Sequence, residues 1–301
     1  MSYSTLSIDW EDFGQLLGLY HFKEVTSPVG GAIERQTSIM LDMLDETNNK
    51  ATFFILGISA KFKPGLVKEI AARGHEIAIH GQNHTAMFTL TPEDARKDIL
   101  ESIDIVSGIT GEKIHGYRAP FFSVNETNLY VLEILADLGL SYDSSIFPKK
   151  MARYGIEGFS DRDELYNLPN GKQIVELPLT IARYFNRTWP VSGGGYIRMM
   201  PNLLVKKVFR DFEKQKKDSM IYMHPYEFDT EFLDVTTNYP QGANYSKLKV
   251  LALNLRWNLN RNSIRGKIKN LLNQHQFITC LQKANYVKEN GISAKLLGCK
   301  E

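Results

Sequence analysis

Short apolar runs alternate with amphipathic helical stretches from Thr5 to Met223, and most of the runs end in a titratable side chain. No other feature restricts the fold of this chain as much. Thr5 to Ile8 is a short apolar strand followed by acids. Ile33, Thr37, Met40, Leu41 and Leu44 recur at three-and-four spacing, the period of an amphipathic helix. Ala51 to Leu56 is β-branched and aromatic, which predicts a buried strand, and Gly57 stops it. Pro64 opens a helix through Val67, Ile70 and Ala71 that Gly74 closes, and Glu76 to Ile79 is the next strand. Thr91-Pro92-Glu93-Asp94 joins a capping hydroxyl, a proline at the first helical position and early acids. It predicts a helix whose apolar face is Ala95, Ile99, Ile103 and Val106. A strand near Ile114, a helix from Asn128 to Leu138 ended by Gly139, and a last strand at Ile221 to Met223 complete the pattern. Repeated strand–helix units predict an α/β fold with parallel strands and helical crossovers. A closed barrel and an open doubly wound sheet both satisfy it.

The stretch Met151 to Pro201 departs from this rhythm. It is rich in Gly, Pro and polar residues, including Asn170-Gly171 and Gly193-Gly194-Gly195, and reads as a loop-rich insertion with one strand at Ile174 to Leu177. Three successive glycines point to a close backbone approach or a mobile loop. The chain has 301 residues, 43% hydrophobic, which is enough for one large domain or two ordinary ones. No run of about 18 apolar residues is present. Asp9, Glu11 and Asp12 fall where a secretion signal would be apolar, and the cysteines are only Cys280 and Cys299. A cytoplasmic location is therefore the expectation. The net charge of +2 conceals an asymmetry: residues 245–301 hold 11 of the 36 basic residues but only two acids, Glu289 and Glu301. Apolar residues at Leu248, Leu251, Leu255, Ile268, Leu271 and Leu272 make this basic tail helical.

Side chains that follow parallel strands converge on one face of such folds, where active sites are built. Asp9, Glu11 and Asp12, then His80 and His84, Arg118, Asp143 and His224 all occupy such places. His80-Gly81-Gln82-Asn83-His84 sets two imidazoles four apart, a spacing that serves one divalent metal. Gly81 and Asn83 favour a turn after a strand over a helix interior. Read alone, the pair is equally a buried histidine beside an exposed one. The acids at 9, 11 and 12 repel one another unless a cation or arginine compensates, so a site of two histidines and one carboxylate accounts for both clusters. Arg118 lies beside a rigid proline among Tyr117, Phe121 and Phe122 and is suited to orienting a carboxylate. His224 has no metal partner nearby in sequence and suits a general acid.

Taken in order, these segments resemble the polysaccharide deacetylase family (carbohydrate esterase family four). Ser7-Ile8-Asp9-Trp10-Glu11-Asp12 resembles its first motif and His80-Gly81-Gln82-Asn83-His84 its metal motif. Arg118-Ala119-Pro120-Phe121-Phe122, Tyr142-Asp143-Ser144-Ser145 and Met223-His224-Pro225 resemble the three that follow. A longer likeness is to the branch associated with bacterial exopolysaccharide biosynthesis. It lies in Ser192-Gly193-Gly194-Gly195-Tyr196, in His224-Pro225-Tyr226-Glu227-Phe228-Asp229 and in the basic C-terminal extension. The resemblance implies a distorted (β/α) barrel of seven strands, with a catalytic domain over 1–244, the insertion at 151–201 and a helical extension over 245–301. It implies hydrolytic removal of N-acetyl groups from amino sugars of a polysaccharide or its lipid-linked precursor. Asp9 would be the general base, His224 the general acid, and His80 and His84 metal ligands. Asp12 would be the ligating acid, with Glu11 as the alternative. Arg118 would orient Asp9, Asp143 would orient His224, and Pro120, Phe121 and Tyr196 would meet the substrate. Zn²⁺ is the expected ion, with Co²⁺, Ni²⁺ or Fe²⁺ as alternatives.

Other hydrolases on the same scaffold, releasing formate or opening a cyclic amide, share this carbonyl chemistry, and an inert sugar-binding homologue would keep the fold. Tyr154, Phe159, Tyr184, Trp189 and Tyr196 could stack on sugar rings or simply pack the insertion. The tail lacks the aromatic interleaving or module of a nucleic-acid binder, so nucleic acid is not an expected partner. A helix with a solvated basic face and a peripheral contact with an anionic membrane are the two readings of the tail.

Overall fold

The computed structural model describes residues 2–17, 32–151, 154–185, 187–238, 245–291 and 295–296. Cys299 and residues 297–301 of the tail lie outside the described residues, as does the expected boundary at 244. The strands in chain order are β1 (Ser4–Trp10), β2 (Thr52–Ile55), β3 (Glu76–Ile79), β4 (Gly116–Tyr117), β5 (Tyr142–Asp143) and β6 (Glu164–Asn167). They continue with β7 (Gln173–Glu176), β8 (Ile181–Tyr184), β9 (Arg187–Pro190), β10 (Ser219–Met223) and β11 (Lys295–Leu296). All but β8 and β9 join one nine-stranded sheet, ordered β10-β1-β2-β3-β4-β5-β7-β6-β11. The first seven in that order are mutually parallel. β6 then turns back antiparallel to β7, and β11 runs parallel to β6.

The sheet curls into an open, distorted barrel. Arg118, just after β4, bonds Ser7 on β1 and Met220 on β10. Four strand spacings of a flat sheet would put β4 about 19 Å from β10, so only curvature brings them together. Helices cover the outside: α1 (Phe13–Leu17) and α2 (Ala32–Glu46) after β1, α3 (Gly57–Phe62) and α4 (Pro64–Ala72) after β2, α5 (Pro92–Thr110) after β3, and α6 (Tyr130–Asp137) after β4. α5 begins as its sequence dictates, with Thr91 Oγ1 accepting from Asp94 N, and ends at Gly111 in the left-handed region. Gly57, read as a stop, instead starts α3.

Strand alternation divides the side chains into two layers. Leu6, Ile8, Trp10, Phe53, Ile55, Ile77, Ile79, Tyr117, Ile221 and Met223 belong to the core between sheet and helices. Phe54, Ala78, Tyr142, Val175 and Met220, one residue out of step, belong to a second core inside the barrel. On β1 the inward positions are Thr5, Ser7 and Asp9, so this strand turns its polar side to the lumen.

After β9 come α7 (Gly194–Met199) and α8 (Asn202–Lys214), and after β10 come α9 (Lys247–Asn258), α10 (Ile264–Gln274) and α11 (Cys280–Asn290). α10 places Ile264, Ile268, Leu271 and Leu272 in the main core. α11 closes the lower end of the barrel with Cys280, Ala284 and Val287. Its first amides donate to Thr52 Oγ1 and Glu76 Oε2 at the starts of β2 and β3. Among the described residues, no helix is long and apolar enough to cross a membrane.

The stretch 151–201 holds more regular structure than its composition suggested. β6 and β7 form a hairpin around Asn170-Gly171, with Gly171 at φ 78°, and β7 is a strand of the barrel itself. β8 and β9 form a separate hairpin. Four-residue strands are too short to display a period in the sequence.

Candidate active site

The site stands at the upper ends of β1, β3, β4 and β10. Asp9 is the last inward position on β1, and the turn after it, with Glu11 N donating to Asp9 O, keeps Glu11 on the inward side. His80 follows Ile79, Arg118 follows Tyr117 and His224 follows Met223, each the next inward position of its strand. Asp9, Glu11, His80, His84, Phe121, Tyr154, Tyr196 and His224 line one cleft of about 230 Å³.

Arg118 is fully buried and its fork is completely used. NH1 donates to Asp9 Oδ1 at 2.6 Å and Ser7 Oγ at 2.9 Å, Nε to Ser144 O, and NH2 to Ser144 Oγ at 2.9 Å and Met220 Sδ. The guanidinium lies 4.0 Å from the centre of the Phe54 ring. Asp9 is thus fixed through Oδ1, while Oδ2 has no hydrogen bond among the described residues.

Glu11, His80 and His84 are buried and bring one donor atom each to within 4.8 Å of the others. His80 donates from Nδ1 to the Arg118 carbonyl at 2.8 Å, which fixes its tautomer and leaves Nε2 as the free lone pair. Burial lowers its pKa to about 4, so the ring is neutral. His84 sits at φ 57°, in the left-handed region, with Nε2 2.7 Å from Glu11 Oε2. Gly81, at φ 74°, forms the intervening turn, and Asp98 of α5 accepts from Gln82 N and Asn83 N to hold it. Buried His84 Nδ1 lacks a hydrogen bond. Two imidazoles and one carboxylate, buried and this close together, form a donor set that fits a divalent cation.

His224 spans two carboxylates. Its Nε2 lies 3.2 Å from Glu11 Oε1 and its Nδ1 3.4 Å from Glu227 Oε2. Glu227 is itself held by the His224 amide at 3.0 Å. Burial would lower the His224 pKa, but the hydrogen bonds and charges of Glu11 and Glu227 raise it to about 10. Burial also opposes charge on Glu11, yet His84 and His224 hold it well below the usual carboxylate range.

Two expected residues stand elsewhere. Asp12 caps α1: its Oδ2 accepts from Gly14 N at 3.1 Å, so Glu11, not Asp12, shares the space with the histidines. Asp143 does not meet His224. It accepts from Ser145 N and Oγ and pairs with Glu176, whose Oε1 takes the Ile146 amide. Both acids of this pair are fully buried, and burial raises both pKa values. Glu227 occupies the place expected of Asp143. Pro120 is buried and absent from the cleft lining; it opens the turn that carries Phe121, at φ 58°, over His84 at 4.5 Å between ring centres.

Of the insertion's aromatics, Tyr154 and Tyr196 reach the cleft. Phe159 stacks on Tyr166, Tyr184 bonds Asp211, and Trp189 lines a different hollow with Lys149 and Arg187. Tyr222, Tyr226, Arg198, Arg256 and Trp257 line the cleft without having been singled out. The three glycines separate by need. A Cβ on Gly193 would strike the Tyr222 ring at 2.6 Å, and one on Gly194 the Glu227 carboxylate at 2.2 Å, while Gly195 meets nothing.

Residues 29–142 match the family described as polysaccharide deacetylase, and residues 144–285 match a domain of unknown function (DUF3473). A chitooligosaccharide deacetylase of Sinorhizobium fredii is 31% identical over 127 residues, 42% of this chain and 58% of that protein. A peptidoglycan-N-acetylglucosamine deacetylase of Bacillus cereus is 33% identical over 93 residues, 31% of this chain and 34% of that protein. In both, the match covers less than two thirds of the relative's own length. A structure assigned as a polysaccharide deacetylase from Mycobacterium smegmatis superposes with TM-score 0.62 at 19% identity, covering 100% of this chain and 96% of that one. The Puue allantoinase superposes with TM-score 0.60 at 15% identity, covering 97% and 92%. These likenesses are of fold.

Proposed function

The chain belongs to the polysaccharide deacetylase family, and from that premise we propose that it is a metal-dependent hydrolase removing N-acetyl groups from amino sugars of a glycan or its lipid-linked precursor. The observation that carries this reading is one cleft holding Asp9 on Arg118, the Glu11–His80–His84 donor set, and His224 between two carboxylates.

Glu11, His80 and His84 would hold the cation, with Zn²⁺ the first choice for two nitrogens and one oxygen. Such an ion supplies Lewis acidity, polarising a carbonyl oxygen and making a water easier to deprotonate. Asp9, its Oδ1 bound by Arg118, offers Oδ2 to take the proton of the attacking water. Arg118 has no rotamer freedom left, so the base stays in one position. His224, whose protonated form Glu11 and Glu227 favour, gives its proton to the departing amine nitrogen. Glu227 fixes the imidazole from behind. Tyr154, Tyr196, Tyr222 and Trp257 supply flat surfaces suited to sugar rings.

The test is acetate release from an N-acetylated chitooligosaccharide, with metal content measured in parallel. Chelation should abolish turnover and Zn²⁺ restore it. Asp9→Asn should keep the metal and lose activity by about 10²–10⁴-fold, while His80→Ala should lose both. Full activity in Asp9→Asn, or after complete removal of metal, would overturn the reading.

A further inference from the structure

α9 is apolar on two opposite sides. At about 100° per residue, Val250, Leu253 and Trp257 share the side that packs against Phe13, Tyr226 and Val235. Leu248, Leu251 and Leu255 share the other side, continued by Leu259 just past the helix end. They are 79%, 57%, 60% and 48% exposed. Single exposed leucines are ordinary, but four in one stripe mark an interaction surface. Lys247, Lys249 and Arg256 flank the stripe, and α9 contains no acid.

We propose that the leucine face of α9 docks the protein on an anionic lipid surface, with the helix lying in the plane of the headgroups. The leucines would enter the acyl boundary and the flanking cations would meet the phosphates, the arrangement of interfacial amphipathic helices. Charge also argues against a second copy as the occupant, because pairing two such faces sets Lys247, Lys249 and Arg256 near their own counterparts. Docking there also has a consequence for the cleft, one that rests on the deacetylase reading. Arg256 and Trp257 form part of the cleft lining, so docking brings the cleft within about one helix diameter, ~10 Å, of the lipid.

The experiment is sedimentation of the full chain with phosphatidylcholine vesicles, with and without phosphatidylglycerol, at low and high salt. Binding should require the anionic lipid and weaken with salt. Leu248→Ser/Leu251→Ser/Leu255→Ser should bind the anionic vesicles at least about tenfold less. Its melting temperature and its turnover of a soluble chitooligosaccharide should match wild type, because the leucines are exposed and outside the cleft. Lys247→Gln/Lys249→Gln should lose the low-salt advantage. Absence of wild-type binding, or equal binding by the triple leucine variant, overturns the proposal. A wild-type dimer that the same three substitutions convert to monomer assigns the face to a second copy and overturns it too. Failure of wild type to release acetate from the soluble substrate would sink the deacetylase reading while leaving the vesicle result in force.

Discussion

Glu11 and Asp12 are adjacent acids of similar chemistry, and backbone direction alone separates their tasks. Asp12 Oδ2 is engaged by Gly14 N at the start of α1, whereas Glu11 Oε2 lies 2.7 Å from His84 Nε2 in the buried cleft. Glu11→Gln should therefore lower the bound metal at least about tenfold, by analysis of the purified protein. Asp12→Asn should keep the metal, and Asp12→Ala should cost about 1 kcal/mol of stability through the lost cap. This division was legible in the sequence through parity. Thr5, Ser7 and Asp9 share one side of β1 and Glu11 continues that side past its end, while His80, Arg118, Ser144 and His224 are the next inward positions after β3, β4, β5 and β10. Asp12 and Asp143 are out of step, which is why one caps a helix and the other pairs with Glu176 outside the lumen. His75 offers a separate test at this scale. Its Nδ1 accepts from Ala51 N at 3.3 Å, and burial lowers its pKa to about 4. Above pH 6.5 the folded and unfolded imidazoles are both neutral; between pH 6.5 and 4 only the unfolded one gains a proton. This residue alone should thus remove about 3 kcal/mol of stability by pH 4. Denaturant titrations across that range should show wild type losing ground to His75→Asn, whose amide oxygen can accept the same bond.

Elements meet closely where α7 approaches the turn after β10. Gly194, the first residue of α7, lies against the Glu227 carboxylate, where a methyl group would stand 2.2 Å from both oxygens. Glu227 cannot swing away freely, because it accepts from the His224 amide and holds the imidazole. Gly194→Ala should therefore displace the support of His224 and lower kcat by about tenfold or more, with bound metal unchanged. Gly195→Ala, with open space around it, should leave kcat near wild type; steady-state kinetics on both variants is the check. The three-glycine run announced a close approach but not its partner, since Glu227 arrives from more than thirty residues away. The same distance hid the role of β7. Asn170-Gly171 stood out only as part of a loop-rich stretch, and a strand of four residues cannot show from its own sequence that it pairs with β5.

For the whole molecule the division into acidic body and basic tail is sound as arithmetic and misleading as architecture. Several of the tail's cations are consumed in joining it to the body. Lys267 donates to the carbonyls of Ile197, Arg198 and Met200, Arg261 to Tyr226 O, Lys269 pairs with Glu46, and buried Lys283 pairs with Asp163 at 2.9 Å. The tail's apolar period, which placed Ile268, Leu271 and Leu272 on one face, anticipated the helix but not the surface it covers. That surface is the main core and the lower end of the barrel, formed by residues far back in the chain. An independent appendage would leave residues 1–244 folded when removed. Here removal would uncover the ends of β2 and β3, strip the partners of Thr52 and Glu76, and open the lumen beneath Arg118. A chain ending at 244 should accordingly show no cooperative melt by circular dichroism, and a wild-type-like melt would restore the two-part architecture. Because so large a deletion can fail for many reasons, Leu271→Ala is the finer probe. Its side chain is fully buried in the shared core, so the substitution should cost about 2–5 kcal/mol in denaturant unfolding of the whole molecule. A single transition shifted in midpoint would show that tail and barrel unfold together, whereas loss of one phase with the other unmoved would show that they do not.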